Sequence, residues 1–186
     1  MAHARASAQQ RRTAVTQPRT ANGTVVGTHP ARESARRPIG ILFVCHGNIC
    51  RSAMAQCVMQ KLVDDRGLAS LFRIDSAACR TDEIGSPIYP PAARELARHG
   101  VPTLGHRARL VTAADGDAWD YLVYMDAENE RDLARILGPE PTARVCRLMS
   151  FTMRCDDVAD PWYTGDFGAT YADVLEGCSA LLDLLS

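Results

Sequence analysis

What this chain lacks narrows the field first. No apolar run approaches the roughly 18 residues that a membrane-crossing helix needs, so no span is expected. No C-x-x-C pair and no His-Cys cluster is present, which leaves no metal-ligand set of the zinc type. The N-terminal region has no apolar core of the kind a secretory signal peptide carries. Beyond residue 39 there is no internal repeat and no low-complexity segment. Cysteine, by contrast, is plentiful. Seven are present, at 45, 50, 57, 79, 146, 155 and 178, and their odd count and scatter argue against a disulfide framework. A reduced cytoplasmic setting is the expectation, with secretion by a route that needs no signal peptide as the alternative. At 186 residues and 46% hydrophobic content the chain has room for one domain with a full core.

Charge divides the chain in two. Residues 1–38 carry seven arginines against one acid, Glu33, whereas residues 39–186 hold 14 basic and 21 acidic residues. The first segment is rich in Ala, Arg, Thr, Gln and Ser and short of large apolar residues, so it is expected to be a disordered basic tail ahead of a domain at 39–186. Three accounts of it stand side by side: an arm for acidic partners, an organelle-targeting segment, and a product of a start codon placed too far upstream.

The chemistry gathers in residues 39–52, IGILFVCHGNICRS. Ile41, Leu42, Phe43 and Val44 form a continuous apolar run suited to a parallel strand buried on both faces. Gly47 and Asn48 follow, the residue types that most readily take left-handed backbone angles, so the chain can curl and turn successive N–H groups inward as an anion nest. From Ser52 the apolar spacing becomes helical, and the helix start aims further N–H groups and a positive dipole end at the same place. Cys45 lies under that potential with Arg51 across the loop. Such surroundings lower a thiol pKa from about 8.5 to ~3.5–7.5, which makes the thiolate the neutral-pH form. Taken alone, a cysteine at a strand end is more ordinarily a buried small hydrophobe; the strand, Gly-Asn, Arg and Ser around it favour the nucleophile.

Strand and helix then alternate, which predicts an α/β sandwich with a parallel sheet. Strands are expected at about 40–45, 72–76, 121–125 and 143–149, and helices at 52–66, through PAARELARHG to Gly100, at 128–137 and at 169–185. Gly67 suits the end of the first helix, and a turn-rich stretch runs from Thr81 to Pro91. With the loop after the first strand, the ligand site falls outside a strand's carboxyl end.

VCHGNICRS resembles the signature loop of the low-molecular-weight protein tyrosine phosphatases. RIDSAA (73–78), GHRARLVTAAD (105–115), YLVYMDAENERDL (121–133) and ADPWYTGDF (159–167) resemble that family's other blocks in order, so the likeness spans about residues 39–185. It implies a three-layer sandwich with a four-stranded parallel sheet in flavodoxin-like strand order. It also implies hydrolysis of protein phosphotyrosine and small aryl phosphates through a phosphocysteine, with no metal or cofactor. Cys45 would be the nucleophile, Arg51 the phosphate-binding arginine and Asp160 of the Asp-Pro pair the general acid. His46, Gly47, Asn48, Ile49, Cys50 and Ser52 would cradle the phosphate, with Asn48, Ser52, Ser76 and His106 in a supporting hydrogen-bond network. Ile49, Asp82, Trp162 and Tyr163 would line the substrate pocket. Cys50 would pair reversibly with Cys45 under oxidation, or else simply pack the loop.

On the residues alone, Asp-Pro can merely start a turn, and Asp156, Asp157 and Asp166 are rival acids. Trp162 and Tyr163 can equally pack the loop onto the core. Asp82 stands where many relatives have an aromatic residue, which opens the pocket. The implied partner is a phosphotyrosine-containing protein, a tyrosine kinase of polysaccharide export among the candidates; no nucleic acid is implied. Three other readings stand beside this one. A protein-arginine phosphatase would have threonine at Ile49, an arsenate reductase would need a cysteine relay for which Cys79 is the one candidate, and a non-catalytic redox or phosphate-binding module would use the same fold.

Overall fold

The run Ile41 to Val44 is wholly buried because both faces of its strand are covered. That strand is β1, Ile39–Cys45, in a computed structural model that describes residues 37–186. The expected basic tail therefore lies outside the described residues, apart from Arg37 and Pro38. β2 is Phe72–Ala78, β3 Tyr121–Tyr124 and β4 Arg144–Arg147; all pair in parallel in the order β2-β1-β3-β4. The helices are α1 (Arg51–Asp65), α2 (Pro90–Arg98), α3 (Asp115–Ala118), α4 (Ala127–Leu137), α5 (Pro161–Thr164) and α6 (Phe167–Leu185). No described helix is long and apolar enough to cross a membrane.

Alternation along β1 builds the three layers, since successive side chains point to opposite faces. Ile41 and Phe43 join a core with Met54, Val58 and Met59 of α1 and Val174, Cys178 and Leu181 of α6. Leu42 and Val44 join a second core with Trp119, Leu122, Tyr124 and Leu133. The chain leaves β1 for β2 on one side, and β3 adds on the other, so the end of β1 is the point where strand order reverses. Register aligns the three ends there, with Cys45 beside Ala78 and Val44 beside Tyr124. Loops from three strands thus meet at one edge, the usual ligand crevice of such sheets.

The expected order of main elements holds, with shifts at their boundaries. β4 stops at Arg147, short of the expected 149, because Leu148–Phe151 turns as a 3-10 helix that buries Leu148 and Met149. β2 runs on to Ala78. α6 begins at Phe167 because the Asp166 side chain accepts from Ala169 N at 2.8 Å, satisfying a free donor of the first turn. The short α3 and α5 were not expected; four-residue helices carry too little periodicity to read. Gly67 ends α1 as expected, with a φ of 69°.

Gly177 marks the tightest packing. It sits inside α6 where glycine is unfavourable, and a Cβ there would come within 2.5 Å of Leu148 Cγ. Gly177→Ala should therefore lower stability by about 1–2 kcal/mol, overpacking outweighing the gain in helix propensity. Urea unfolding measures this; an unchanged or raised midpoint would contradict the packing argument.

Candidate active site

The loop from Cys45 to Arg51 curls through one left-handed residue, Asn48, with φ of 58°. Gly47, expected to share that role, keeps an ordinary φ. Its lack of a side chain serves close approach instead, since a Cβ there would lie 3.3 Å from Glu83 Cγ. The carbonyls of Cys45, His46, Ile49 and Cys50 accept bonds from Cys79 N, Arg80 N, Tyr89 N and Met54 N, at 2.8 to 3.0 Å. Asn48 O faces His106 Nε2 at 2.7 Å. These five carbonyls are engaged by surrounding elements. A planar trans peptide sets each following N–H on the opposite side, so the amides of 46, 47, 49, 50 and 51 turn toward the interior of the loop. Inward-turned amides of this kind are the geometry an anion nest requires.

Asn48 is fully buried and organises the loop's side chains. Its Nδ2 donates to Ser52 Oγ at 2.9 Å and to Ser76 Oγ at 2.8 Å, while its Oδ1 accepts from Arg109 N at 3.2 Å. Ser76 Oγ passes its own hydrogen to Gln56 Oε1 at 2.6 Å. Ser52 Oγ, accepting from Asn48, has its hydrogen free for Cys45 Sγ at 3.0 Å. The bonds thus run outward from one amide, and one branch ends as a donor at the sulfur. Gln56 belongs to this network although its sequence position on α1 gave no sign of it.

His106 completes the support. Burial lowers its pKa, against an opposing pull from the Asn48 carbonyl and Asp75. The neutral ring then carries its hydrogen on Nε2, toward that carbonyl, and Nδ1 lies 3.3 Å from Gln56 Oε1. These contacts place His106 behind the loop, against the Asn48 carbonyl.

Arg51 is 3% exposed and sits between two carboxylates: Nη1 donates to Asp126 and Nη2 to Asp160. Burial alone would pull its pKa down, but Cys45, Asp160 and Asp126 together push it up, so the guanidinium stays charged. Asp126 was not expected. It lies two residues past the end of β3 and caps α4, its Oδ1 accepting from Asn129 N at 2.8 Å. The strand-then-Asp pattern of YLVYMD, read with the switch point, was the available signal.

Asp160 caps α5, accepting from Trp162 N at 3.0 Å, with Pro161 at the first helical position. Of the rival acids, Asp157 lines the same cavity but is paired with Arg147 at 3.0 Å, Asp156 meets Arg154 at 2.8 Å, and Asp166 caps α6. A cavity of about 640 Å³ opens over the loop, and Cys45, Arg51, Asp126, Asp160, Trp162 and Tyr163 all line it. The Trp162 ring lies 5.6 Å from that of Tyr89, and Tyr163 is almost fully exposed at the mouth. Asp82, also at the mouth, lies 3.3 Å from His46 Nε2. Cys50 is a buried free thiol, pushed up to about 12 by burial first and then by Cys45 and Asp160. Cys79 is pushed up to about 12 in the same way, and its Sγ faces Asn129 O.

Two outcomes follow from this geometry. Asn also caps helices well, so Asp126→Asn should keep the start of α4 yet lower aryl phosphate turnover about tenfold to 100-fold by freeing Arg51 on one side. Unchanged kcat with unchanged stability would contradict the role given to Asp126. For His106 the folded-state pKa is depressed, so its stabilisation is present above about 6.5 and is lost as pH falls through the lowered value. Between pH ~7 and ~5.5 the wild type should therefore lose more stability than His106→Gln, as measured by urea unfolding. Parallel curves would contradict the assignment.

Comparison with known proteins agrees with this architecture. The family model described as low molecular weight phosphotyrosine protein phosphatase matches residues 40–186. The low molecular weight protein-tyrosine-phosphatase YfkJ of Bacillus subtilis is 38% identical over 146 residues, covering 77% of this chain and 94% of that protein. Its crystal structure superposes with a TM-score of 0.77 at 37% identity, over 80% of this chain and 94% of the other. The human low molecular weight phosphotyrosine protein phosphatase is 38% identical over 148 residues, 77% of this chain and 93% of that one. The structure of a Drosophila arginine phosphatase aligns with a TM-score of 0.71 at 31% identity, over 78% of this chain and 97% of that one. With the match running from the second residue of β1 to the last residue, this chain belongs to the low molecular weight phosphotyrosine protein phosphatase family.

Proposed function

We propose that this protein hydrolyses phosphotyrosine in proteins by two displacements at phosphorus, with no metal taking part. The observation that carries the reading is the convergence of Cys45, Arg51 and Asp160 on one cavity, with the Ser52 hydroxyl positioned to donate to the sulfur. In the first step Cys45 thiolate attacks phosphorus, forming the S–P bond as the bond to the tyrosyl oxygen breaks. Asp160, released from Arg51 and protonated by the proton that a phosphate monoanion substrate carries, hands that proton to the leaving oxygen, a service worth ~10² to 10⁴-fold. Arg51 and the inward amides hold the three phosphoryl oxygens, most tightly as charge spreads over them in the transition state. In the second step Asp160, now a carboxylate, takes a proton from water. The water oxygen attacks phosphorus, the S–P bond breaks, and phosphate and the Cys45 thiolate are released.

Trp162 and Tyr163 offer flat faces beside the acid for a substrate ring. Ile49 favours phosphotyrosine, since an apolar side chain beside the loop gives a guanidinium nothing to bond to. The likeness to an arginine phosphatase keeps phosphoarginine as the second reading, and the acidic mouth supports it. Cys50, in the same loop as Cys45, is proposed to attack the sulfenic acid that a peroxide forms on Cys45, giving a reducible disulfide and releasing water, the reversible rung of cysteine oxidation. Its buried neutral thiol would otherwise compete poorly as a nucleophile. A reduced cytoplasmic setting fits that chemistry, and the physiological phosphoprotein and its kinase are left open.

With a chelator present, the wild type should hydrolyse an aryl phosphate and a phosphotyrosyl peptide in preference to a phosphoarginyl one. Cys45→Ser should abolish turnover, and Asp160→Ala should lower it by about 10² to 10⁴-fold on a poor leaving group. Full activity in either variant would overturn the roles, and faster release of phosphate from phosphoarginine would favour the second reading.

A further inference from the structure

The charges around the cavity mouth are unequally neutralised, and the imbalance falls on one side. Asp126 and Asp160 share Arg51, Asp157 meets Arg147 at 3.0 Å, and Glu128 lies 3.7 Å from Arg80. Two lining carboxylates remain. Asp82 meets only His46, which balances it only when the imidazole is protonated, and Glu83 forms no ion pair among the described residues. Both follow β2, whereas Arg131, the cation of the mouth without an ion pair among the described residues, stands on α4 after β3. Because β1 separates β2 from β3, the two walls face each other across the nucleophile loop. The carbon chain of Glu83 lies against Gly47, which fixes this charge next to the loop.

Resting on the phosphotyrosine reading above, we propose that Asp82 and Glu83 are specificity-determining residues that select phosphotyrosine sites flanked by lysine or arginine. A peptide whose phosphate reaches the loop floor must lead its neighbouring residues across the mouth. A basic neighbour on the β2 side meets two carboxylates with little competition from other cations. An acidic neighbour there meets like charge, which disfavours it without any steric clash. An aromatic residue in place of Asp82 would offer stacking area but no such discrimination by charge.

The test uses the full-length protein and three phosphotyrosyl peptides identical except for Lys, Gln or Glu on both sides of the phosphotyrosine. The Lys peptide should exceed the Glu peptide in kcat/KM by about fivefold or more at low salt. The ratio should shrink in about 0.5 M NaCl, where exposed charges are screened. In Asp82→Asn/Glu83→Gln it should fall toward one. The ratio is read within each protein, so a general change in rate cancels, and the two single variants supply it should the double variant fail to fold. Equal rates on the Lys and Glu peptides, a preference for Glu, or a ratio unmoved by the substitutions would overturn the proposal. No wild-type turnover of even the Gln peptide would instead strike the phosphatase reading beneath it.

Discussion

A guanidinium with 3% of its surface exposed must find its counter-charges inside the protein, and the position of Arg51 sets much of the site. Removing an ion from water costs several kcal/mol, which only close partners offset. Asp126 at the start of α4 and Asp160 at the start of α5 supply them, each also capping its helix. One side chain at the start of α1 therefore ties together the loop after β1, the edge of β3 and the segment that carries the candidate acid. The chain of α5 cannot drift from the loop without unpairing a buried charge. The same pairing holds Asp160 at the cavity that Cys45 also lines, although the two lie more than 100 residues apart in sequence.

A second constraint acts on the backbone. A seven-residue loop that turns its amides inward must satisfy its carbonyls outward, and it does so with donors from α1, from the segment between β2 and α2, and from His106. Asn48 performs the corresponding task for the side chains, using both ends of its amide to hold two serines and a backbone N–H. Among the described residues no buried side-chain nitrogen or oxygen lacks a partner. The loop's shape is thus held by the protein's own hydrogen bonds.

The sequence disclosed the loop, the strand before it and the main helices because each is written in adjacent residues. The run from Ile41 to Val44 declared a covered strand, and Gly-Asn declared a turn. What stayed hidden depends on distance along the chain. Asp126 reads as an ordinary helix cap until β3 is placed beside β1, and Gln56 reads as a surface residue of α1 until Ser76 and His106 are seen beside it. The division of labour between Gly47 and Asn48 was equally invisible, since both residue types tolerate left-handed angles and only the approach of Glu83 separates them. The mouth's polarity came last, because which carboxylates are neutralised depends on partners such as Arg147 and Arg80 that no local pattern supplies.

The account makes Cys45 the atom that carries the phosphoryl group between two half-reactions. Rapid acid quenching of the wild-type protein during turnover of a phosphotyrosyl peptide, followed by peptide mass mapping under conditions that preserve thiophosphate, reads this directly. The account predicts a phosphoryl group on the peptide containing Cys45, formed and discharged at rates that match turnover. A phosphoryl group on another residue, or full turnover with none ever trapped on Cys45, would contradict it.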